Sequence, residues 1–167
     1  MGIWKNPKME SLLSSDKFIL SSSVDRPIPR NLMSLLESGF RTEQDCILFN
    51  DYEYFGPGDL ITARQKTEYE EFLNRVPMNF SMVASEDEYL SLALAIKFGH
   101  LLYNKLSQTY TNKFRVVILC DYNQSNEGVV EKMNCEVFFY QIRFETDTLY
   151  KEEYLSHIEN EAIMFLE

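Results

Sequence analysis

The chain has 167 residues, 45% of them hydrophobic and 14% aromatic, which suffices for one domain with its own core and argues against general disorder. Its 16 basic and 26 acidic residues give a net charge of −10, and such a field repels nucleic-acid phosphates and anionic lipid. We therefore expect a single domain over residues 1–167, with residues 1–16 free to form a flexible N-terminal arm, and no binding to nucleic acid or membrane.

The cysteines and the hydropathy pattern bear on where the protein is located. No apolar run approaches the roughly 18 residues of a membrane span, and the N-terminal residues lack a signal-peptide core. Cys46, Cys120 and Cys135 form no CxxC pair, and an odd number of cysteines cannot all pair within one chain. We expect reduced thiols, with Cys120 and Cys135 packed as small apolar side chains, in a cytoplasmic protein.

Three elements are predicted in the first half of the chain. A short amphipathic helix begins near Pro29, carries three leucines at helical spacing and ends at Gly39. Residues 45–49 are apolar and precede turn-forming residues, which predicts a strand. Residues 60–76 predict a surface helix that ends at Pro77. The buried face of this helix is predicted to hold Leu60, Ala63, Tyr69, Phe72, Leu73 and Val76.

A strand and a long apolar helix are predicted next. Residues 78–83 alternate apolar and polar side chains, the period of a half-buried strand. Ser85 and Glu88 form a capping-box pattern, from which a helix runs to about Gln108. Because the run is apolar on nearly every side, we expect the helix to pack against a sheet. Its predicted core residues are Leu92, Ala95, Ile96 and Leu102.

The C-terminal part predicts paired strands. Residues 114–120 and 135–144 are rich in β-branched and aromatic side chains and most simply pair antiparallel. The connection over residues 121–134 is longer than a tight turn, and its length allows mobility. Residues 149–158 predict a short acidic helix, and residues 162–166 fit either a terminal strand or the last turns of that helix. Together these elements predict an α+β fold, a mostly antiparallel sheet packed by three or four helices on one face.

The most distinctive segment is acidic and aromatic and covers residues 42–63, which contain no Lys or Arg. Its Gly-Pro-Gly turn holds it near the surface. One interpretation is a solvated loop whose tyrosine rings pack on the core. The other is a binding surface, because tyrosines supply rigid contact area and carboxylates supply a field that suits a Lys- and Arg-rich partner. The predicted partner-binding residues are Asp51, Tyr52, Glu53, Tyr54 and Asp59.

Catalytic and metal-binding motifs are absent from the sequence. His100 lies within the long apolar helix, where a hydrogen-bonded core position is the simplest interpretation. His157 follows Glu153 by four residues, but two candidate ligands without an HExxH-type motif are too few for a metal site. Neighbouring helix residues do not face each other, so runs of adjacent carboxylates are interpreted as solvated faces or helix-dipole partners. These runs are Glu70–Glu71, Glu86–Asp87–Glu88 and Glu152–Glu153. We expect no catalytic residue, metal or cofactor.

The C-terminal third has a recognisable succession of segments: FRVVILCDYN, a loop with Asn and Gly, CEVFFYQIR, and YLSHIENEAIMFLE. This arrangement resembles small acidic cytoplasmic proteins of bacteria and their phages, among them immunity proteins of toxin systems. The resemblance implies a single acidic domain without catalytic residues that binds one cognate toxin. It transfers no individual residue, because it rests on pattern and not on an invariant motif.

Three functions are consistent with these observations. The first is a cytoplasmic binding protein that neutralises a basic protein partner, such as an immunity protein or antitoxin, with residues 145–161 as a second acidic stretch. The second is a small hydrolase-like enzyme with a pocket near His100. The third is a homo-oligomeric scaffold subunit that pairs through an uncovered sheet edge. The oligomeric state is left open between a monomer and a homodimer.

Overall fold

A central antiparallel sheet with helices packed on it makes up the fold, which confirms the α+β class. The computed structural model describes residues 1–52, 58–78, 87–126, 130–143 and 161–167. In chain order its elements are β1 (Ile3–Lys5), α1 (Pro7–Leu13), α2 (Asp16–Ser23), α3 (Arg30–Ser38), β2 (Phe40–Glu43), β3 (Cys46–Phe49), α4 (Ala63–Leu73), β4 (Val76–Pro77), α5 (Leu90–Thr109), β5 (Phe114–Gln124), β6 (Val130–Gln141) and β7 (Ala162–Leu166). The sheet order is β1-β7-β5-β6-β4, and β2 and β3 form a separate hairpin.

The two longest strands, β5 and β6, confirm the predicted antiparallel pair. Their register runs from Phe114 opposite Gln141 to Gln124 opposite Val130. Most of the predicted connection over residues 121–134 is therefore strand, and the expectation of a long loop there is wrong. The polar side chains of this stretch pointed to turn chemistry, but pairing with a long partner strand outweighs local propensity. Residues 127–129 lie outside the described part of the chain.

The sheet is buried on both faces, and α5 packs on one of them. Alternate residues of β5 separate into two clusters, with Val116 and Ile118 on the α5 side and Val117 on the other. The second cluster consists of Val117, Phe138, Tyr140, Ile163 and Phe165, with Trp4 and Leu119 packed against it. Near-continuous apolar strands such as β7, buried at all five positions, are typical of a sheet covered on both sides.

Helix α5 packs across the sheet as predicted. Leu92, Ala95 and Leu102 are fully buried, whereas Ile96 is only partly buried at the edge of the core. Gly99 permits this close packing, because a Cβ atom there would lie 3.0 Å from Cδ1 of Ile118. The helix begins later than the capping-box pattern predicts. Its N-cap is Tyr89, and the predicted strand over residues 78–83 lies largely outside the described residues, as does Ser85.

The N-terminal residues belong to the fold and do not form the flexible arm expected over residues 1–16. Strand β1 pairs with β7, and Met9 of α1 is fully buried. Asn6 links α1 to β7. Its Oδ1 accepts hydrogen bonds from the N–H groups of Met9 at 2.9 Å and Ile163 at 3.0 Å. Its Nδ2 donates to the Glu161 carbonyl at 2.8 Å. A buried side chain with three partners holds the arm in place.

The expectation of three reduced cysteines is wrong, because Cys120 and Cys135 form a disulfide. The β5–β6 register places the two residues directly opposite each other, with 4.2 Å between their Cα atoms. Motif spacing and cysteine parity could not reveal this, because the strand register brings them together. Cys46 is the free cysteine and is buried, as a small apolar side chain would be.

The remaining predictions have mixed outcomes. Helix α3 ends at Gly39 as predicted, and Gly39 has the positive φ of 77° that favours glycine. Of the two alternatives for residues 162–166, the structure shows the strand β7. The helix predicted over residues 149–158 lies outside the described residues.

Candidate functional site

The β2–β3 hairpin contains the first part of the acidic segment, and a two-residue turn connects its strands. Glu43 of β2 pairs with Cys46 of β3, so Gln44 and Asp45 are the two loop residues. Both have positive φ, at 48° and 61°, as the commonest tight hairpin turn requires. All four residues of β3 are buried, whereas β2 is half-exposed. The hairpin thus presents an outer strand to solvent and a fully apolar strand to the core.

Helix α4 anchors the hairpin through two buried polar side chains one turn apart, Glu70 and Asn74. The Ile47 N–H donates to Glu70 Oε1 at 2.7 Å, and the Phe49 N–H donates to Asn74 Oδ1 at 3.2 Å. Asn74 Nδ2 donates back to the Ile47 carbonyl at 2.9 Å. These bonds replace a neighbouring strand along the free edge of β3.

The same two side chains also reach the main sheet. Glu70 Oε2 accepts from the Gln141 N–H at 2.8 Å, and Asn74 Nδ2 donates to the Phe139 carbonyl at 3.2 Å. Both partners lie on β6 beyond the short stretch that β4 covers. Glu70 and Asn74 therefore join the hairpin to the sheet and satisfy backbone groups of both.

Arg143 completes this anchor. Its Nη1 and Nη2 atoms donate to the two oxygens of Glu70 at 2.7 and 2.8 Å, and Nη2 also donates to the Asp45 carbonyl at 2.9 Å. The Thr67 hydroxyl accepts a further bond from Nη1 at 3.1 Å. Burial raises the pKa of the Glu70 carboxyl, and Arg143 acts in the opposite direction. A fully buried carboxylate thus has a bidentate cationic partner.

The predicted buried face of this helix is only partly correct: Ala63, Tyr69 and Leu73 are half-buried, but Phe72 is not. Phe72, assigned to the buried face, is 73% exposed, while Thr67 and Glu70 are the buried residues of α4. The interpretation of Glu70 as part of a solvated acidic face fails for the same reason. Under α4, backbone groups of β3 and β6 have no neighbouring strand to bond. A polar helix face supplies those hydrogen bonds, whereas an apolar face would leave the groups unsatisfied.

Aromatic rings fill the space between the hairpin and the sheet. The Phe49 ring lies edge-on to Phe139 of β6 at 5.2 Å and to Tyr52 at 5.5 Å. Tyr52 is half-buried against the main core, and burial raises the pKa of its hydroxyl. The ring position agrees with a tyrosine that packs its body on the core and leaves one edge accessible.

The structure describes three of the five predicted partner-binding residues. Asp51 is exposed and accepts a hydrogen bond from the Ser38 hydroxyl, Tyr52 has the packing given above, and Asp59 is exposed. Glu53 and Tyr54 lie outside the described residues. Asp51 and Tyr52 are adjacent, and both are held by contacts to residues of the fold.

Basic side chains around the hairpin are turned towards internal partners. Arg41 Nη1 donates to the carbonyls of Phe49 at 2.9 Å and Asn50 at 3.0 Å. Lys66 Nζ lies 2.7 Å from Asp45 Oδ2 and holds the pKa of that carboxyl below its usual value. Asp51 and Asp59 are exposed, and neither belongs to an ion pair between described residues.

Comparison with known proteins assigns the chain to a family. A family match extends over residues 4–167. The chain belongs to the Uncharacterized protein PM0498 family. No curated protein and no solved structure shows significant similarity to it.

A cavity of about 530 Å³ lies beside the hairpin and the anchor. Its charged lining groups, Lys66 with Asp45 and Arg143, are already paired within the protein. The described residues contain no cluster of His, Cys, Asp or Glu that could hold a metal ion, and Glu153 and His157 lie outside them. The cavity therefore has no evident chemistry.

His100 and the membrane prediction can also be compared with the structure. His100 is half-buried on α5. It does not line the cavities beside α2, beside the hairpin or at the start of β5. No helix in the described residues has the length and apolar character needed to cross a membrane.

Sequence reasoning missed the anchor residues Glu70, Asn74 and Arg143. A signal was present, because Thr67, Glu70 and Asn74 follow helical spacing and form a polar stripe. Such a stripe is ordinarily a solvated face, and only an exposed Phe72 on the opposite side shows that α4 is turned with its polar side inward.

Proposed function

We propose that the protein is a cytoplasmic binding protein that neutralises a basic protein partner, as an immunity protein or antitoxin does. The observation that carries the proposal is the arrangement of charge around the hairpin. Arg41 and Lys66 bind groups of the hairpin itself, while Asp51 and Asp59 are exposed without an ion-pair partner among the described residues. The net charge of −10 adds a long-range field of the same sign.

The anchor of the hairpin supports the same proposal. Asn74 and Glu70 fix β3 by hydrogen bonds, and Tyr52 packs on Phe49. A contact residue that is already held in place, as Tyr52 is, loses little conformational entropy on binding. In this proposal the exposed carboxylates accelerate association, and Tyr52, with Glu53 and Tyr54 as further contacts, slows dissociation.

The test compares two charge variants by affinity capture from native lysate, followed by binding kinetics with the captured protein. Asp51→Asn with Asp59→Asn removes two exposed charges, one next to the Ser38 end of the hairpin and one in the segment that contacts its turn. Glu10→Gln with Asp121→Asn removes two charges from exposed positions on α1 and β5 and serves as the matched control. We expect the hairpin variant to associate at least about tenfold more slowly at low salt and the control to stay near wild type. Equal rates for the two variants would overturn the proposal.

The proposed compartment has its own test, because a disulfide is uncommon in reducing compartments. Rapid alkylation of free thiols in intact cells, followed by mass spectrometry, reports the state of Cys120 and Cys135. Alkylated residues agree with a cytoplasmic protein whose disulfide forms after lysis. A disulfide protected in the cell would contradict the cytoplasmic part of the proposal and leave the binding part intact.

A further inference from the structure

Helix α2 carries an exposed apolar ridge that includes no residue of the hairpin. Within the described residues, three of the eight large exposed hydrophobic side chains are on or directly after this helix: Ile19 is 53% exposed, Leu20 69% and Val24 53%. Leu20 and Val24 are four residues apart and share one helical face. Clustered exposed apolar residues mark an interaction surface more often than scattered ones do.

Cavities flank the ridge on both sides. One, of about 340 Å³, lies between α2 and α5 and is lined by Phe18, Val24, Leu94 and Ile96 among others. The other, of about 400 Å³, lies between α2 and the turn before α5, and Leu20 and Tyr89 line it. A ridge beside a groove on the same surface is self-complementary. A two-fold axis can place the ridge of each copy in a groove of the other.

Among the described residues, most charges around the ridge are paired, unlike those of the chain as a whole. Three ion pairs surround it: Lys17 with Glu88 at 3.8 Å, Arg26 with Asp87 at 2.8 Å and Lys97 with Asp25 at 3.0 Å. Asp16 adds one negative charge at the other end of α2 from Val24. Two copies of a protein with net charge −10 repel each other. A rim with paired charges lowers that repulsion where the copies would meet.

We infer that the α2 surface, defined by Ile19, Leu20, Val24 and the two flanking cavities, is a homodimer interface. The occupant is a second copy of this chain, because the surface provides both ridge and groove and the charges on its rim are mostly paired with one another. A helix of eight residues is about 12 Å long, so the contact is small. We therefore expect a weak dimer that forms near about 100 µM and dissociates near about 1 µM.

The test is sedimentation velocity of the full chain over this concentration range, with two variants. Leu20→Glu places a charge on the ridge, and Ile61→Glu places the same charge at a position that is 81% exposed before α4. We expect wild type and Ile61→Glu to dimerise and Leu20→Glu to stay monomeric. A wild-type monomer at all concentrations, a dimeric Leu20→Glu or a monomeric Ile61→Glu would each overturn the inference.

A second variant at the same position tests the inference even if Leu20→Glu fails to fold. Leu20→Cys should give a cross-linked dimer with a short bis-maleimide, since Cys46 is buried and Cys120 and Cys135 are bonded to each other. Ile61→Cys is the control, and equal cross-linking of the two variants would contradict the inference.

The salt dependence distinguishes dimer formation from binding to the proposed basic partner. Raising the salt concentration from about 50 to about 500 mM should strengthen the dimer, whose copies repel, and weaken attraction to a basic protein. A dimer that weakens with salt would overturn the paired-charge argument.

Discussion

Glu70 and Arg143 form a bidentate ion pair in the interior of the protein, with Nη1 and Nη2 of Arg143 2.7 and 2.8 Å from the carboxylate oxygens. The Glu70 side chain has no exposed surface, and that of Arg143 is 10% exposed. Glu70 also accepts the N–H groups of Ile47 and Gln141. One carboxylate therefore connects α4, the hairpin, the main sheet and the residue that follows β6. The candidate binding surface depends on this connection for its position.

Glu70→Gln should strongly destabilise the protein. The change leaves the Arg143 guanidinium without its counter-charge in a nearly buried position, and breaking a buried pair in this way typically costs about 3 to 5 kcal/mol. Urea unfolding measures the change. Glu68→Gln is the matched control, because its pair with Arg64 is exposed and should contribute less than about 1 kcal/mol. Equal effects of the two variants would show that the anchor does not stabilise the fold.

Replacing both partners by apolar residues should not restore stability. In many proteins an apolar pair is as stable as a buried ion pair. Here Glu70→Leu with Arg143→Leu would leave the Ile47 and Gln141 N–H groups without acceptors, at about 1 to 3 kcal/mol for each buried group. If urea unfolding of this double variant matches wild type, the two backbone bonds contribute little.

Reduction of the Cys120–Cys135 disulfide should destabilise the protein. The bond closes a loop with a sequence separation of 15 residues, for which the chain-entropy model gives about 3 kcal/mol. The measurement is urea unfolding with and without a phosphine reductant. Cys120→Ala with Cys135→Ala should unfold at the same lower urea concentration in both conditions. A reductant effect that persists in this double variant would assign the change to another cause.

The Cys46 thiol should not react with thiol reagents in the folded protein, and its ionisation should lower the free energy of unfolding at high pH. Burial raises the pKa of its thiol from 9.0 to about 11. Because the folded state holds the proton more tightly, this contribution is complete below pH 9 and is lost as the pH rises through 9 towards 11. Ellman's reagent at pH 8 should therefore detect no thiol before unfolding and one thereafter without reductant.

The control for this pH dependence is Cys46→Ala, whose stability should fall less steeply than that of wild type between pH 9 and 11, the range set by the shifted pKa. Parallel stability curves for the two proteins over that range would mean that the Cys46 thiol does not cause the change.

Leu102→Ala should test the packing of α5. Leu102 is fully buried against the sheet, and a large-to-small change at such a site costs about 2 to 5 kcal/mol. Its neighbour Leu101 is 38% exposed, so Leu101→Ala should cost clearly less. Urea unfolding of both variants measures the difference. A smaller effect at position 102 than at position 101 would mean that the buried face of α5 has been assigned to the wrong residues.

How well the sequence predicted each element depended on how local its signal was. The apolar run of α5, the leucines of α3 and the β-branched strands β5 and β6 have patterns that are complete within each segment, and all four are in the structure. Strand β2 (Phe40–Glu43) was missed, because only its pairing with β3 makes it a strand. Two of its four residues are charged, and its alternation is too short to recognise.

The same distinction applies to the candidate site. The sequence identified the acidic and aromatic character of residues 42–63, because composition is a local property. It could not identify Glu70, Asn74 and Arg143 as the anchor, since their partners are backbone groups of other segments. Whether a carboxylate on a helix faces solvent or a strand edge depends on which edges remain unpaired after the sheet has formed.

The sequence by itself determined the α+β class, the long central helix and the acidic balance of this protein. Periodicity and charge are properties of the chain, and burial of apolar faces turns them into elements with little ambiguity. The tertiary structure alone decided that α4 turns its polar side inward, that Cys120 meets Cys135 and that Ile3–Lys5 join the sheet. Each of these depends on register and on the pairing of distant backbone groups, and neither is encoded in any one segment.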